Sequence, residues 1–294
     1  MTAMTDGTIG LYRDLAPISD RAWARIEHEA RDVLRLHLAA RRLVDFEGPL
    51  GWDHSALDLG RVEPIAGYEG SSASFSLRVV RPLVELRVPF ELERRELERI
   101  DRGASSVDLE PLRDAARSFA AAEDSALFEG HSAAGIPGLL SDAANPGVAL
   151  PADPALLPGA VGEALEQLRQ AGVAGPYGVA LGPNAFAALS LTVGAGGYPV
   201  MKLLQQLIDR PVVWSPSLSG GVAVSLRGGD FKLICGRDAA IGYLGHDEKQ
   251  VRLYLEESFS AEQIGPEAAV PLLATEEGDE RLARARVQNI GRTS

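Results

Sequence analysis

The sequence predicts a mixed α+β protein with one long β-hairpin standing off its body. Three observations carry that reading. Two segments, one near residues 19–42 and one near 108–130, repeat apolar residues at helical spacing. The run "SFSLRVVRPLVELRVPFEL" alternates apolar and polar residues with the period of a half-buried strand. The strands of the C-terminal half do not alternate regularly with helices, which argues against a doubly wound parallel sheet. At 294 residues, 46% hydrophobic and 24% charged, the chain is long enough for a substantial core without a disulfide or metal staple.

The elements follow in order. Ser19 is placed to cap a helix running to about Arg42, with Trp23, Ile26, Ala30, Val33, Leu34 and Leu38 on one stripe. A Gly48-Pro49 turn and Trp52 come next. From Gly60 to Leu92 the pattern is strand-like. Gly67, Gly70 and the serines at 71, 72 and 74 mark the turn between two arms. "VDLEPLRDAARSFAAAEDSALFEG" is the clearest helix, with Asp108 as cap, Pro111 in the first turn and Gly130 at the end. A loop-rich crossing leads to a helix over about 155–171. "GPYGVALGPNAFAAL" reads as strand, turn and helix, and "YPVMKLLQQLI" as a further helix. "PVVWSPS", "GVAVSLR", "DFKLICG" and "VRLYLEESFS" are strand-like, with Gly228-Gly229 as a hairpin signal. The charged tail after Leu273 is expected to be mobile.

Composition excludes more than it suggests. A formal net charge of −12 repels phosphate backbones and anionic lipid, so neither nucleic acid nor a membrane is an expected partner. No run approaches the length of a membrane span, and the N-terminus lacks the basic and apolar regions of a signal peptide. The single cysteine, Cys235, sits in the apolar run "FKLICG" and reads as a small buried hydrophobe in a reducing compartment.

A search for chemistry comes back nearly empty. The five histidines, His28, His37, His54, His131 and His246, show no metal-ligand spacing, so no metal and no cofactor is expected. "GHSAAG" approaches the G-x-S-x-G nucleophile elbow, but Ala134 stands where the second glycine is required, and a helix precedes Ser132 instead of a strand. "VGAGGYP" has three glycines before a helix yet matches neither phosphate-loop pattern. The acids of "FELERRELERID" are interleaved with arginine, as on a solvated, salt-bridged face.

The stretch "RRLVDFEGPLGWD", Arg41 to Asp53, is too rich in specific residues for a linker and holds no nucleophile. With "LYRDLAPISDRAWARIEHEA", "VELRVPFELERRELERIDRG" and "GGDFKLICGRDAAIGYLGHDEKQVRLYLEESF", it occurs in an order that resembles the encapsulins, also called linocin-type bacteriocins. The likeness spans nearly the whole chain, although Ala40 stands where a glycine is common in the family.

The resemblance implies the tailed-phage (Hong Kong 97-type) capsid fold, with a peripheral domain, an axial domain and an extended β-hairpin arm. It implies an N-terminal lumenal helix and turn over 1–51, the arm over 52–88, and a peripheral domain over 89–146 and 225–273. The axial domain would span 147–224 and a tail 274–294. It further implies about 60 copies closing into an icosahedral cytoplasmic compartment. The enclosed cargo enzyme would be a ferritin-like iron-storage protein or a dye-decolorising peroxidase, held through its C-terminal targeting peptide. The groove for that peptide would have Leu34 and Leu38 as floor, Arg41 and Asp45 as polar rim or ion pair, and Ile241 and Tyr243 as opposite wall. Ala195, Gly196, Gly197 and Tyr198 would line the fivefold pore. Flavin-binding relatives use an aromatic where this chain has Arg94 and Arg95, so no flavin is expected. A prophage capsid protein and a Ser132 hydrolase are the rival readings.

Overall fold

The computed structural model describes residues 10–66, 74–208 and 210–274. Helix α1 (Asp20–His37) begins as expected, with the Ser19 hydroxyl accepting the Ala22 N–H at 3.1 Å. It ends five residues before the expected Arg42. The Asp124 carboxylate accepts the N–H groups of Ala39 and Ala40 at 3.1 and 3.0 Å, and so takes over donors that a further helical turn would have used. Ala40–Arg42 then form a single tight turn. Strand β1 (Asp45–Glu47) follows.

The alternating run breaks at Leu83. Strands β2 (Ala56–Ile65) and β3 (Phe75–Pro82) form a separate antiparallel two-stranded sheet. Strand β4 (Val84–Glu93) instead runs in the body, where it pairs with β11 (Gln250–Gln263) from Val84 onward. Residues 84–88, grouped with the arm on sequence, therefore lie in the body sheet. The expected turn at 67–73 lies outside the described residues.

Two further helices complete this half. Helix α2 (Arg94–Asp101) leads to the long α3 (Glu110–Phe128), with Pro111 in its first turn. Asp108 accepts the Glu110 N–H at 3.0 Å, and Gly130, at φ 78°, turns the chain away beyond the end. The other half contains β5 (Val148–Ala149), α4 (Leu157–Gln170), β6 (Tyr177–Leu181), α5 (Pro183–Leu191) and α6 (Val200–Ile208). Then come β7 (Val213–Trp214), β8 (Gly221–Ser225), β9 (Phe231–Cys235), β10 (Ala240–His246) and β12 (Ala269–Leu273).

One five-stranded sheet has the order β1-β9-β11-β10, with β4 on the opposite edge of β11. The other has the order β5-β12-β8-β6-β7. The Gly228-Gly229 hairpin expected on sequence is not formed. Strand β8 lies between β12 and β6 in the second sheet, whereas β9 pairs with β1 and β11 in the first. Both glycines adopt φ 84°, the left-handed backbone a tight hairpin also needs, but the turn carries the chain from one sheet to the other. Burial decided the pairing, because all five residues of β8 are buried and a central position suits them.

Two cores result. Helix α1 lays Trp23, Ile26, Ala30, Leu34 and Leu38 against α3 and the first sheet. The second core gathers α4, α5, α6 and the second sheet. Helix α3 belongs to both, with Leu112–Ala120 in the first and Ala126–Phe128 in the second, and so acts as a spine.

Candidate functional site

The stretch after α1 is a clamp. Arg41 projects from the tight turn into a nest of acids contributed by α3, β11 and the connection leading into β10. Its Nε and Nη2 donate to the two oxygens of Glu123, Nη2 also to Glu257 and Nη1 to Asp238, each at 2.7 Å. The side chains of Glu123 and Glu257 are fully buried, and that of Asp238 is 27% exposed. Burial opposes the guanidinium charge, but Glu123, Glu257 and Asp238 outweigh it and hold the group well above its ordinary value. Burial also pushes the Glu257 carboxyl well up, helped by the Glu123 charge and opposed by Arg41. Asp124 is raised to about 7, chiefly by burial and against its two N–H donors. The Cys235 thiol, buried beside this cluster, is driven far upward for the same reason.

Further along the clamp, β1 runs parallel to β9 and Asp45 accepts the Gly229 N–H at 2.6 Å. Past Pro49, Leu50 and Gly51 donate to the carbonyls of Cys235 and Gly236 at 3.0 and 2.9 Å. The Arg237 guanidinium covers the Trp52 ring at 3.8 Å and donates to Glu256 at 2.8 Å. Thirteen residues thus fasten α1, the spine helix and the first sheet to the root of the arm.

The arm, β2 and β3, forms a two-stranded sheet of its own, tied to the body near its root where Arg81 donates to the Ala261 carbonyl. Val62, Ile65, Phe75, Leu77 and Val80 are 47–63% exposed on its two strands. The glycine loop between α5 and α6 is a compact turn in which Gly194 donates to the Tyr198 carbonyl at 2.9 Å. Gly196 and Gly197 have φ 81° and 79°, and no atom lies within 4 Å of where a Cβ would stand. The Tyr198 hydroxyl accepts from Gln206 at 3.1 Å. Ala195 lies on the same turn.

The expected groove residues are placed differently from one another. Leu34, Leu38 and Ile241 are only 5%, 9% and 1% exposed and belong to the first core. They form no open floor, because the apolar stripe of α1 is packed into the first core, chiefly against α3 and α2. Arg41 and Asp45 do not pair, since each is engaged elsewhere. Tyr243 is half-buried, its hydroxyl meets His246, and its N–H donates to the Leu11 carbonyl at 2.8 Å. Ser132 lies in an exposed single turn directly after α3, without the strand–turn–helix setting of a nucleophile elbow. Among the described residues no group of three His, Cys, Asp or Glu is arranged to hold a metal, and no helix is long and apolar enough to cross a membrane.

Sequence reasoning missed Glu123, Asp124, Asp238 and Glu257. A signal was present. "AAAEDSALF" and "LYLEESF" each place two acids inside an otherwise apolar run, where an acid needs a partner.

This architecture is a capsid-type fold. A virus-like particle from Pyrococcus furiosus superposes with a TM-score of 0.60 at 16% identity, covering 85% of this chain and 99% of that chain. The capsid of Myoviridae Phage XM1 gives 0.52 at 10% identity, covering 81% and 92%. At these identities the likeness speaks for the fold alone. The sequence goes further, because residues 9–260 match the family described as encapsulating protein for peroxidase, and the chain belongs to that family. It is 50% identical over 267 residues to the type 1 encapsulin shell protein of Rhodospirillum rubrum, covering 89% of this chain and 95% of that protein. It is 42% identical over 262 residues to the type 1 encapsulin shell protein of Mycobacterium tuberculosis, covering 89% and 98%. These relatives are structural shell proteins, and the role of this chain is likewise non-enzymatic.

Proposed function

We propose that many copies of this chain, about 60, close into an icosahedral cytoplasmic compartment that encloses a cargo enzyme. The observation that carries this reading is the arm. An isolated two-stranded hairpin is marginal in water, and this one exposes five large apolar side chains. Covering each by a neighbouring copy would contribute about 1.5–3 kcal/mol before ordering costs. Family membership supports the same reading.

The cargo, an iron-storage ferritin-like protein or a peroxidase, docks a C-terminal peptide on the face between α1 and β10. There Leu34, Leu38 and Ile241 act as a rigid support beneath the surface. Arg41 and Asp45 fix the turn beside it, and Tyr243 forms the accessible wall. A short peptide held this way binds weakly, and an oligomeric cargo gains affinity by engaging several copies. The loop of Ala195, Gly196, Gly197 and Tyr198 borders a fivefold pore.

Light scattering of the untagged protein, with negative-stain images of the same fraction, tests the shell. Uniform hollow particles in the megadalton range are expected, and a monomer at micromolar concentration refutes closure. Nucleic acid inside the particles would instead favour a phage capsid role.

A further inference from the structure

The acid nest around Arg41 has more negative charge than its single cation balances. With Glu123, Glu257 and Asp238 all ionised, one guanidinium would face three carboxylates, two of them fully buried. Among the described residues no second cation pairs with these three acids; Arg237, next in the chain before Asp238, is engaged by Glu256 and Trp52. The other titratable groups facing the nest are Asp124 on α3 and the Cys235 thiol on β9, and neither supplies positive charge.

One atom identifies what is missing. Glu257 Oε1 is buried and finds no hydrogen-bond partner, while the Glu123 carboxyl lies within hydrogen-bonding reach of the same side chain. Two carboxyl groups can satisfy each other in the interior only if one of them carries a proton. Glu123 takes both arms of the Arg41 fork, the geometry of an ionised carboxylate. Asp238 is partly exposed and also accepts the Ala239 N–H at 2.8 Å. The proton therefore belongs on Glu257.

We propose that Glu257 holds a proton that closes the joint between the α1 turn, α3 and β11, and that alkaline pH removes this proton and loosens the N-terminal helix from the frame. Burial is the largest influence raising Glu257, and the Glu123 charge adds to it. A group raised in the folded state contributes stability that is full below its unfolded value and is lost as pH rises through the folded value. The joint is thus firmest in acid, weakens as pH rises, and keeps its proton until the raised folded value of Glu257 is reached. As pH climbs, Asp124 ionises near 7 and adds charge beside Glu123, and Glu257 follows.

Hydrogen exchange of the Ala39 and Ala40 amides, corrected for the intrinsic pH effect, reads the joint directly in the full-length protein. In the wild type, protection of these amides should fall on going from about pH 7 to about pH 9.5, before the helices of the second core respond. Glu257→Gln keeps the neutral form at every pH, so its Ala39 and Ala40 amides should exchange about tenfold more slowly than wild type at the upper end. Parallel loss in both proteins overturns the proposal. Because a glutamine here could misfold the chain, infrared spectroscopy of the wild type provides a second test. A protonated-carboxyl band should persist above pH 8, where Asp124 is already ionised, and vanish at higher pH. Absence of that band also overturns the proposal. Neither measurement depends on shell closure, so their failure is separable from failure of the compartment reading.

Discussion

Replacing Arg41 by Met removes the cation from the joint while keeping much of its apolar bulk. Four hydrogen bonds of 2.7 Å are lost, two to Glu123 and one each to Glu257 and Asp238. Asp238 is 27% exposed and can return to water, so its share is small. Glu123 cannot, because its side chain is fully buried, and its carboxylate is left without a counter-charge. Breaking a buried pair from one side costs about 3–5 kcal/mol. That is a large part of the total stability of an ordinary domain, about 5–15 kcal/mol. The expected drop in melting temperature is about 5–8 °C for a chain of this size. Thermal unfolding followed by circular dichroism at matched concentration measures it, with both proteins in the same assembly state because assembly adds stability by mass action. The triple variant Arg41→Met, Glu123→Met, Glu257→Leu should recover most of the loss, since it replaces the buried members by apolar side chains and leaves only the partly exposed Asp238, which water can solvate. A drop below about 3 °C for the single variant, or no recovery in the triple, would refute the assignment of Arg41 as the counter-ion of this joint.

Three further outcomes are expected. Asp124→Asn should flatten the stability profile between about pH 4 and 7. The wild type loses stability there by up to about 1.4 kcal/mol per pH unit, because its folded carboxyl is raised to about 7; denaturant midpoints across that range check this. Leu77→Asp places a charge on the exposed arm and should abolish large particles while leaving the circular dichroism spectrum of the body intact, which mass photometry and spectroscopy resolve together. Gly196→Pro demands φ near −65° where the chain has 81°, so the loop must rearrange. Turnover of an enclosed cargo enzyme should slow with particle mass unchanged, and equal turnover would remove the loop from any role in passage.

Much of the fold was legible because its signals are local. The α1 stripe, the Ser19 cap, Pro111 and Gly130 at the ends of α3, and the strand periodicity all depend on residues within a turn or two of each other. The likeness of "RRLVDFEGPLGWD" to a known turn was legible too, although its mechanical content was not. Errors arose where a distant group intervened. Asp124 lies about 85 residues from the backbone it caps, and it stops α1 at His37. Strand β4 looks like a continuation of β3, but its partner β11 begins only at Gln250. Leu34, Leu38 and Ile241 are apolar residues on facing elements, and sequence cannot distinguish a floor open to a ligand from an interior already filled.

By itself the sequence determined the class of elements, the family resemblance and the poverty of catalytic groups, because each follows from residue type and short-range spacing. Only the tertiary structure decided which strands share a sheet, that Gly228-Gly229 crosses between sheets, and that three acids from α3, the approach to β10 and β11 converge on Arg41. Charge pairing acts through space at a few ångströms, and the chain separations that create those distances, 82 to 216 residues here, leave no periodicity to detect.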